Sequence, residues 1–136
     1  MRESDAAEVA RLLGELGYPQ PPDPDRLRAW ESDLERHALV VEEDGHLAGA
    51  IALQLCRHFA RQGRFGRIVA MVVDERHRQE GVGRALVGAA ERLARDAGCD
   101  RLEVTSGRRR DASHSFYRSL GYEDLTEKSV RYARDL

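Results

Sequence analysis

Apolar positions along the chain change their spacing several times, and each change marks an element. Ala6, Val9, Ala10, Leu13 and Leu16 follow helical spacing, so the pattern predicts a helix over Asp5 to Leu16, capped by Asp5 and stopped by Gly17. A short Pro-rich connection leads to a second predicted helix, from Pro24 to about Arg36, with Asp23 as cap and Leu27, Trp30 and Leu34 facing inward. The period then shortens. Ala38 to Val41 reads as a strand, Asp44-Gly45 as a hairpin turn, and Leu47 to Cys56 as the partner strand. After an Arg-rich connection, Phe65 to Val73 reads as a third strand. The longest helical pattern runs from Val82 to Ala97 and stops at Gly98. Arg101 to Thr105 predicts a short strand and Ala112 to Leu120 a helix ending at Gly121, and Glu127 to Arg134 can form a last strand. The order is α-α-β-β-β-α-β-α-β, an α+β (mixed α/β) pattern in which an antiparallel meander leads into a βαβ crossover.

Length and charge narrow the choices. At 136 residues the chain fits one domain, residues 1–136, large enough to bury a core without metal or disulfide staples. A net charge of −2 argues against a dedicated nucleic-acid partner, and no apolar run approaches the ~20 residues of a membrane helix. The polar N-terminus does not read as a signal peptide. Cys56 and Cys99 make neither a disulfide framework nor a zinc site, so they read as reduced thiols in a cytoplasmic protein, and no metal is expected.

One segment carries chemistry. In Val72-Val73-Asp74-Glu75-Arg76-His77-Arg78-Gln79-Glu80-Gly81-Val82-Gly83-Arg84, a strand enters a two-glycine loop that opens the longest helix. Unpaired N–H groups and the helix dipole favour an anion there, and glycine lets the backbone come close. Arg78 and Arg84 add charge. The spacing is neither the dinucleotide fingerprint nor a P-loop. Taken alone, an ordinary tight turn gives the same glycine pair.

A second constellation, Phe116-Tyr117-Arg118-Ser119-Leu120-Gly121-Tyr122, follows near the C-terminus. With Arg78-x-x-Gly81-x-Gly83 at a strand–helix junction, this order resembles the GNAT superfamily of acetyl-CoA-dependent N-acetyltransferases. The resemblance implies a central, mostly antiparallel twisted sheet flanked by helices. It also implies acetyl-CoA as co-substrate. The CoA diphosphate would lie on the amides of Gln79, Glu80, Gly81, Val82, Gly83 and Arg84 beside Arg78, and the pantetheine along Met71, Val72 and Val73, which splay from the next strand. A backbone N–H near Met71 or Val72 would polarise the thioester carbonyl. Tyr117 would protonate the leaving thiolate; a lining aromatic is the plainer reading.

The general base is less defined. The third strand offers no carboxylate, which leaves Glu103, acting through water, with His58, His114 or a water relay as alternatives. Arg57, Arg61, Arg64 and Arg67 either recognise an anionic acceptor or form a solvated loop, and Arg108 to Arg110 either touch CoA phosphates or nothing. Gly107 stands where the family often has Asn, and the first family strand is short or missing before Asp5. The expected acceptor is a small-molecule amine. An acyl-CoA sensor without turnover and a protein acetyltransferase are the other readings, and a homodimer is possible through the last strand.

Overall fold

The computed structural model describes residues 1–106 and 111–136, which form two compact units, Met1–Thr105 and Ser106–Leu136. The first unit is built on one four-stranded sheet. Its strands β1 (Arg36–Glu43), β2 (His46–Arg57), β3 (Arg64–Val73) and β4 (Cys99–Val104) lie side by side in chain order. β1, β2 and β3 pair antiparallel, and β4 joins β3 in parallel after the crossover through helix α3 (Val82–Asp96).

The hairpin signal reads true. Asp44 and Gly45 both take positive φ, 49° and 78°, as a tight two-residue hairpin turn requires. β2 is one of the two inner strands, and Leu47 through Ile51 are buried in succession because both faces are covered. On one face lie α1 (Ala6–Glu15) and α2 (Pro24–Glu31), where Ala6, Val9, Leu12 and Leu27 pack with Leu47, Ala50 and Val72. On the other lies α3. There Gly49 leaves room for the start of the helix: an added Cβ would stand 2.9 Å from Val82 Cγ1 and 3.0 Å from Leu86 Cδ1.

Two predicted elements differ. α2 ends at Glu31, not near Arg36, and Leu34 is 88% exposed instead of inward-facing. The Asp33 carboxylate accepts from the Glu35 N–H at 2.8 Å, and the Glu35 carbonyl already accepts from Leu55 N–H at 2.7 Å, so a local turn and the strand ladder take the groups a longer helix would need. At the other end, Glu127 to Arg134 forms no strand among the described residues, and the sheet has four strands. Val130 and Tyr132 are exposed, so the alternation there buries nothing that would fix a strand.

Met1 to Asp5 contain no strand either; a 3₁₀ turn spans Glu3–Asp5, and the Met1 nitrogen donates to Ala38 O at 3.3 Å. In the second unit, α4 (Asp111–Ser119) ends one residue before Leu120, and Gly121 follows at φ 90°. Gly107 and Arg108 to Arg110 lie outside the described residues.

Candidate active site

The parallel ladder between β3 and β4 runs only from Arg64↔Cys99 to Ile68↔Val104. β3 continues to Val73 in its pairing with β2. At the point of parting, Ala52 opposes Ala70 and Leu53 opposes Ile68, so Val69 is an inserted bulge residue, 44% exposed. A bulge bends and twists its strand. Here it coincides with the place where β3 leaves β4, and the stretch beyond it contains Met71, Val72 and Val73.

β3 delivers the chain into a shaped loop. Asp74 caps a short 3₁₀ turn, Glu75–His77, by accepting from Arg76 N–H at 2.8 Å. Gln79 then takes φ 65° and Gly81 φ 87° immediately before Val82 opens α3. No side chain caps this helix and no acidic residue sits in its first turn. Its leading N–H groups and the positive end of its dipole therefore lie beside a loop with open space at Gly81, where an added Cβ would meet nothing within 4 Å. Arg78 and Arg84 are exposed, and neither side chain joins an ion pair among the described residues.

The root of the loop is clamped. The Asp74 carboxylate is 1% exposed and accepts from Arg11 Nη1 at 2.7 Å and Arg76 Nη2 at 2.9 Å. Arg11 also donates to Leu47 O at 3.0 Å, while Glu8 accepts from Leu47 N–H and Glu15 from Glu75 N–H, each at 3.1 Å. Hydrogen bonds from Arg76 and Arg11 hold the Asp74 carboxyl well below its usual range. The sequence singled out none of these partners of Asp74; the one available signal was an acid directly after an apolar strand. A second cluster sits higher: His77 Nδ1 lies 2.9 Å from Glu80 Oε2 and 3.2 Å from Glu43 Oε2. The hydrogen bond with Glu80 raises the His77 pKa.

The catalytic candidates fall in both units. Glu103 stands opposite Arg67, one pair before the ladder ends, and is engaged by Arg67 at 3.1 Å and Arg101 at 3.4 Å. In the second unit Tyr117 is buried, its ring edge-on to Phe116 and Tyr122 with centroids 5.2 and 5.6 Å away. Burial pushes its hydroxyl up to about 12. A phenol so placed stays protonated at neutral pH and is available as a proton donor. His58 faces Asp100 at 3.2 Å and stacks near Phe65, and His114 is half-buried on α4. Of the hairpin arginines, Arg61 pairs with Asp100, Arg64 with Glu35 and Arg67 with Glu103. Those three are occupied by internal acids, which favours the solvated-loop reading over acceptor recognition.

The end of the parallel ladder, the bulge at the parting and the loop that opens α3 without a side-chain cap make up the candidate site. The Acetyltransferase (GNAT) family profile matches residues 6–122, and the chain belongs to that family. It is 31% identical over 129 residues to glucosamine 6-phosphate N-acetyltransferase of Trypanosoma brucei brucei, covering 90% of this chain and 85% of that one. It is 30% identical over 91 residues to aminoalkylphosphonate N-acetyltransferase of Salmonella typhimurium, covering 67% and 59%. Among solved structures, an aminoglycoside acetyltransferase from an uncultured soil metagenomic sample shares the fold at TM-score 0.84 and 18% identity, covering 100% and 93%. A Trypanosoma brucei acetyltransferase superposes at TM-score 0.81 with 26% identity, covering 100% and 96%. No helix among the described residues is long and apolar enough to cross a membrane.

Proposed function

We propose that the chain transfers an acetyl group from acetyl-CoA to the primary amine of a small acceptor. The observation that carries this reading is the run from the Val69 bulge to the uncapped start of α3. The pantetheine amides would pair with the β3 segment Met71, Val72 and Val73, as an added strand pairs with an edge. The diphosphate would rest on the amides of Gln79, Glu80, Gly81, Val82, Gly83 and Arg84, with Arg78 and Arg84 supplying charge.

The chemistry is one displacement. The neutral amine nitrogen attacks the thioester carbonyl carbon, and a backbone N–H near Met71 or Val72 stabilises the developing oxyanion. The C–S bond then breaks, and the departing thiolate takes a proton from Tyr117. The amine's proton leaves through water, with Glu103 as its acceptor. The names of the curated relatives point to small amines carrying phosphate or phosphonate as the acceptors to try first. The double engagement of Glu103 by arginines favours one other reading, an acyl-CoA sensor without turnover.

Thiol release from acetyl-CoA, followed with glucosamine 6-phosphate, aminoalkylphosphonates and uncharged amines, separates the two. Turnover with any of these that falls about a hundredfold in Tyr117→Phe, with KM for acetyl-CoA unchanged, is expected of the enzyme. Tight acetyl-CoA binding with no turnover across the panel would assign the sensor instead.

A further inference from the structure

Glu43, His77 and Glu80 belong to three different segments: the end of β1, the 3₁₀ turn after β3, and the loop that opens α3. One imidazole nitrogen, His77 Nδ1, faces both carboxylates, at 3.2 Å from Glu43 and 2.9 Å from Glu80. Glu80 sits between Gln79 and Gly81, the two residues whose positive φ shapes the loop. The bridge thus fixes the loop's middle to the β1–β2 hairpin.

Charge makes the bridge more than a tether. Two carboxylates beside a loop that receives a diphosphate oppose that ligand. A protonated His77 cancels one of them. It also donates from Nδ1 toward the pair, which holds the loop in shape. We propose that His77 is a positioning residue whose imidazolium, bridging Glu43 and Glu80, makes the loop at residues 79–84 accept the CoA diphosphate. This rests on the cofactor reading above.

The groups facing the imidazole are Glu80 from the loop, Glu43 from β1 and Asp74 from the end of β3, the last also paired with Arg11 and Arg76. All three attract a proton to it, and His77 is raised above its ordinary value accordingly. Arg76 and Arg78 flank it in the chain and stay charged throughout. Because a bound diphosphate prefers the imidazolium, binding takes up a proton, and affinity falls as pH rises through the His77 titration. By reciprocity, the bound ligand raises the His77 pKa by the same factor.

The test measures acetyl-CoA affinity calorimetrically from pH 6 to 9 for the wild type, H77Q and E43Q, and follows the His77 imidazole by NMR with and without CoA. In the wild type the dissociation constant should rise about fivefold across this range, and the imidazole pKa should rise on CoA binding. H77Q should match the wild type's high-pH affinity at every pH, apart from any titration of the ligand common to both proteins. E43Q should move the midpoint to lower pH, since one attracting carboxylate is gone. A merely structural histidine would weaken binding by one factor at all pH values. That result, or an unchanged imidazole pKa on binding, would overturn the positioning role of His77 while leaving the cofactor reading intact. No binding of acetyl-CoA by the wild type at any pH would overturn both.

Discussion

At the scale of single residues, Gly81, Asp74 and Tyr117 each do something their neighbours cannot. Gly81 holds φ 87° at the N-cap of α3, a conformation that costs an L-residue about 1–2 kcal/mol. Gly81→Ala has room for its Cβ, so the expected loss is that strain and a looser loop; Gly81→Val adds bulk where the diphosphate would lie and should abolish acetyl-CoA binding. Calorimetric titration of the two variants checks this, and wild-type affinity in Gly81→Val would contradict it. Asp74 is the opposite case, a buried carboxylate kept ionised by Arg11 and Arg76. Its folded-state pKa is depressed, so the stabilisation it gives is complete above about pH 4 and is lost as pH falls through the folded value. Acid unfolding followed by circular dichroism should therefore set in at lower pH in the wild type than in Asp74→Asn, and the stability difference between the two, full at pH 7, should narrow as pH falls below about 4. A parallel loss in both proteins would mean that the carboxylate contributes nothing. Tyr117, pushed up to about 12, remains an acid across the assay range, so kcat should show no decline from this group up to pH 10. A basic limb near pH 9 that disappears in Tyr117→Phe would contradict the raised pKa, and a kcat unchanged in Tyr117→Phe would contradict the acid role.

Between elements, the decisive contact is the seat of α3 on β2. Gly49 lies against Val82 and Leu86, and a Cβ there would also stand 3.0 Å from Val72 O, a backbone atom that cannot swing away. Gly49→Ala is expected to cost about 1–3 kcal/mol by overpacking and to displace the first turn of α3, the turn whose amides face the loop. Thermal unfolding and acetyl-CoA affinity should fall together. By contrast Leu12→Ala, which empties a fully buried site between α1 and the sheet, should cost about 2–5 kcal/mol while leaving acetyl-CoA affinity in the folded fraction unchanged. Equal effects of both substitutions on affinity would deny α3 its special part in shaping the loop.

Across the whole molecule, what the sequence made legible was what local chemistry decides. The Asp44-Gly45 turn, the unbroken apolar face of α3 and the glycines at its start and end are each set by neighbours a few residues away. Tertiary pairing decided the rest. α2 gives way at Ser32 because Glu35 is recruited by Leu55 on a strand 20 residues later, and the tail beyond Glu127 alternates without a partner to bury its apolar side. In the site, the loop and its glycines were readable, but the Val69 bulge was not: a valine inside a continuous apolar run gives no mark of insertion until its partners on β2 and β4 are known. The clamp on Asp74 was hidden for the same reason, since Arg11 lies 63 residues away in the chain.

A crystal structure of the chain with CoA tests the central claim most directly. The diphosphate is expected on the main-chain amides of residues 79–84, with the pantetheine paired along β3 beyond Val69. A cofactor bound elsewhere, or those amides turned from it, would contradict the site and the acetyl-transfer reading built on it.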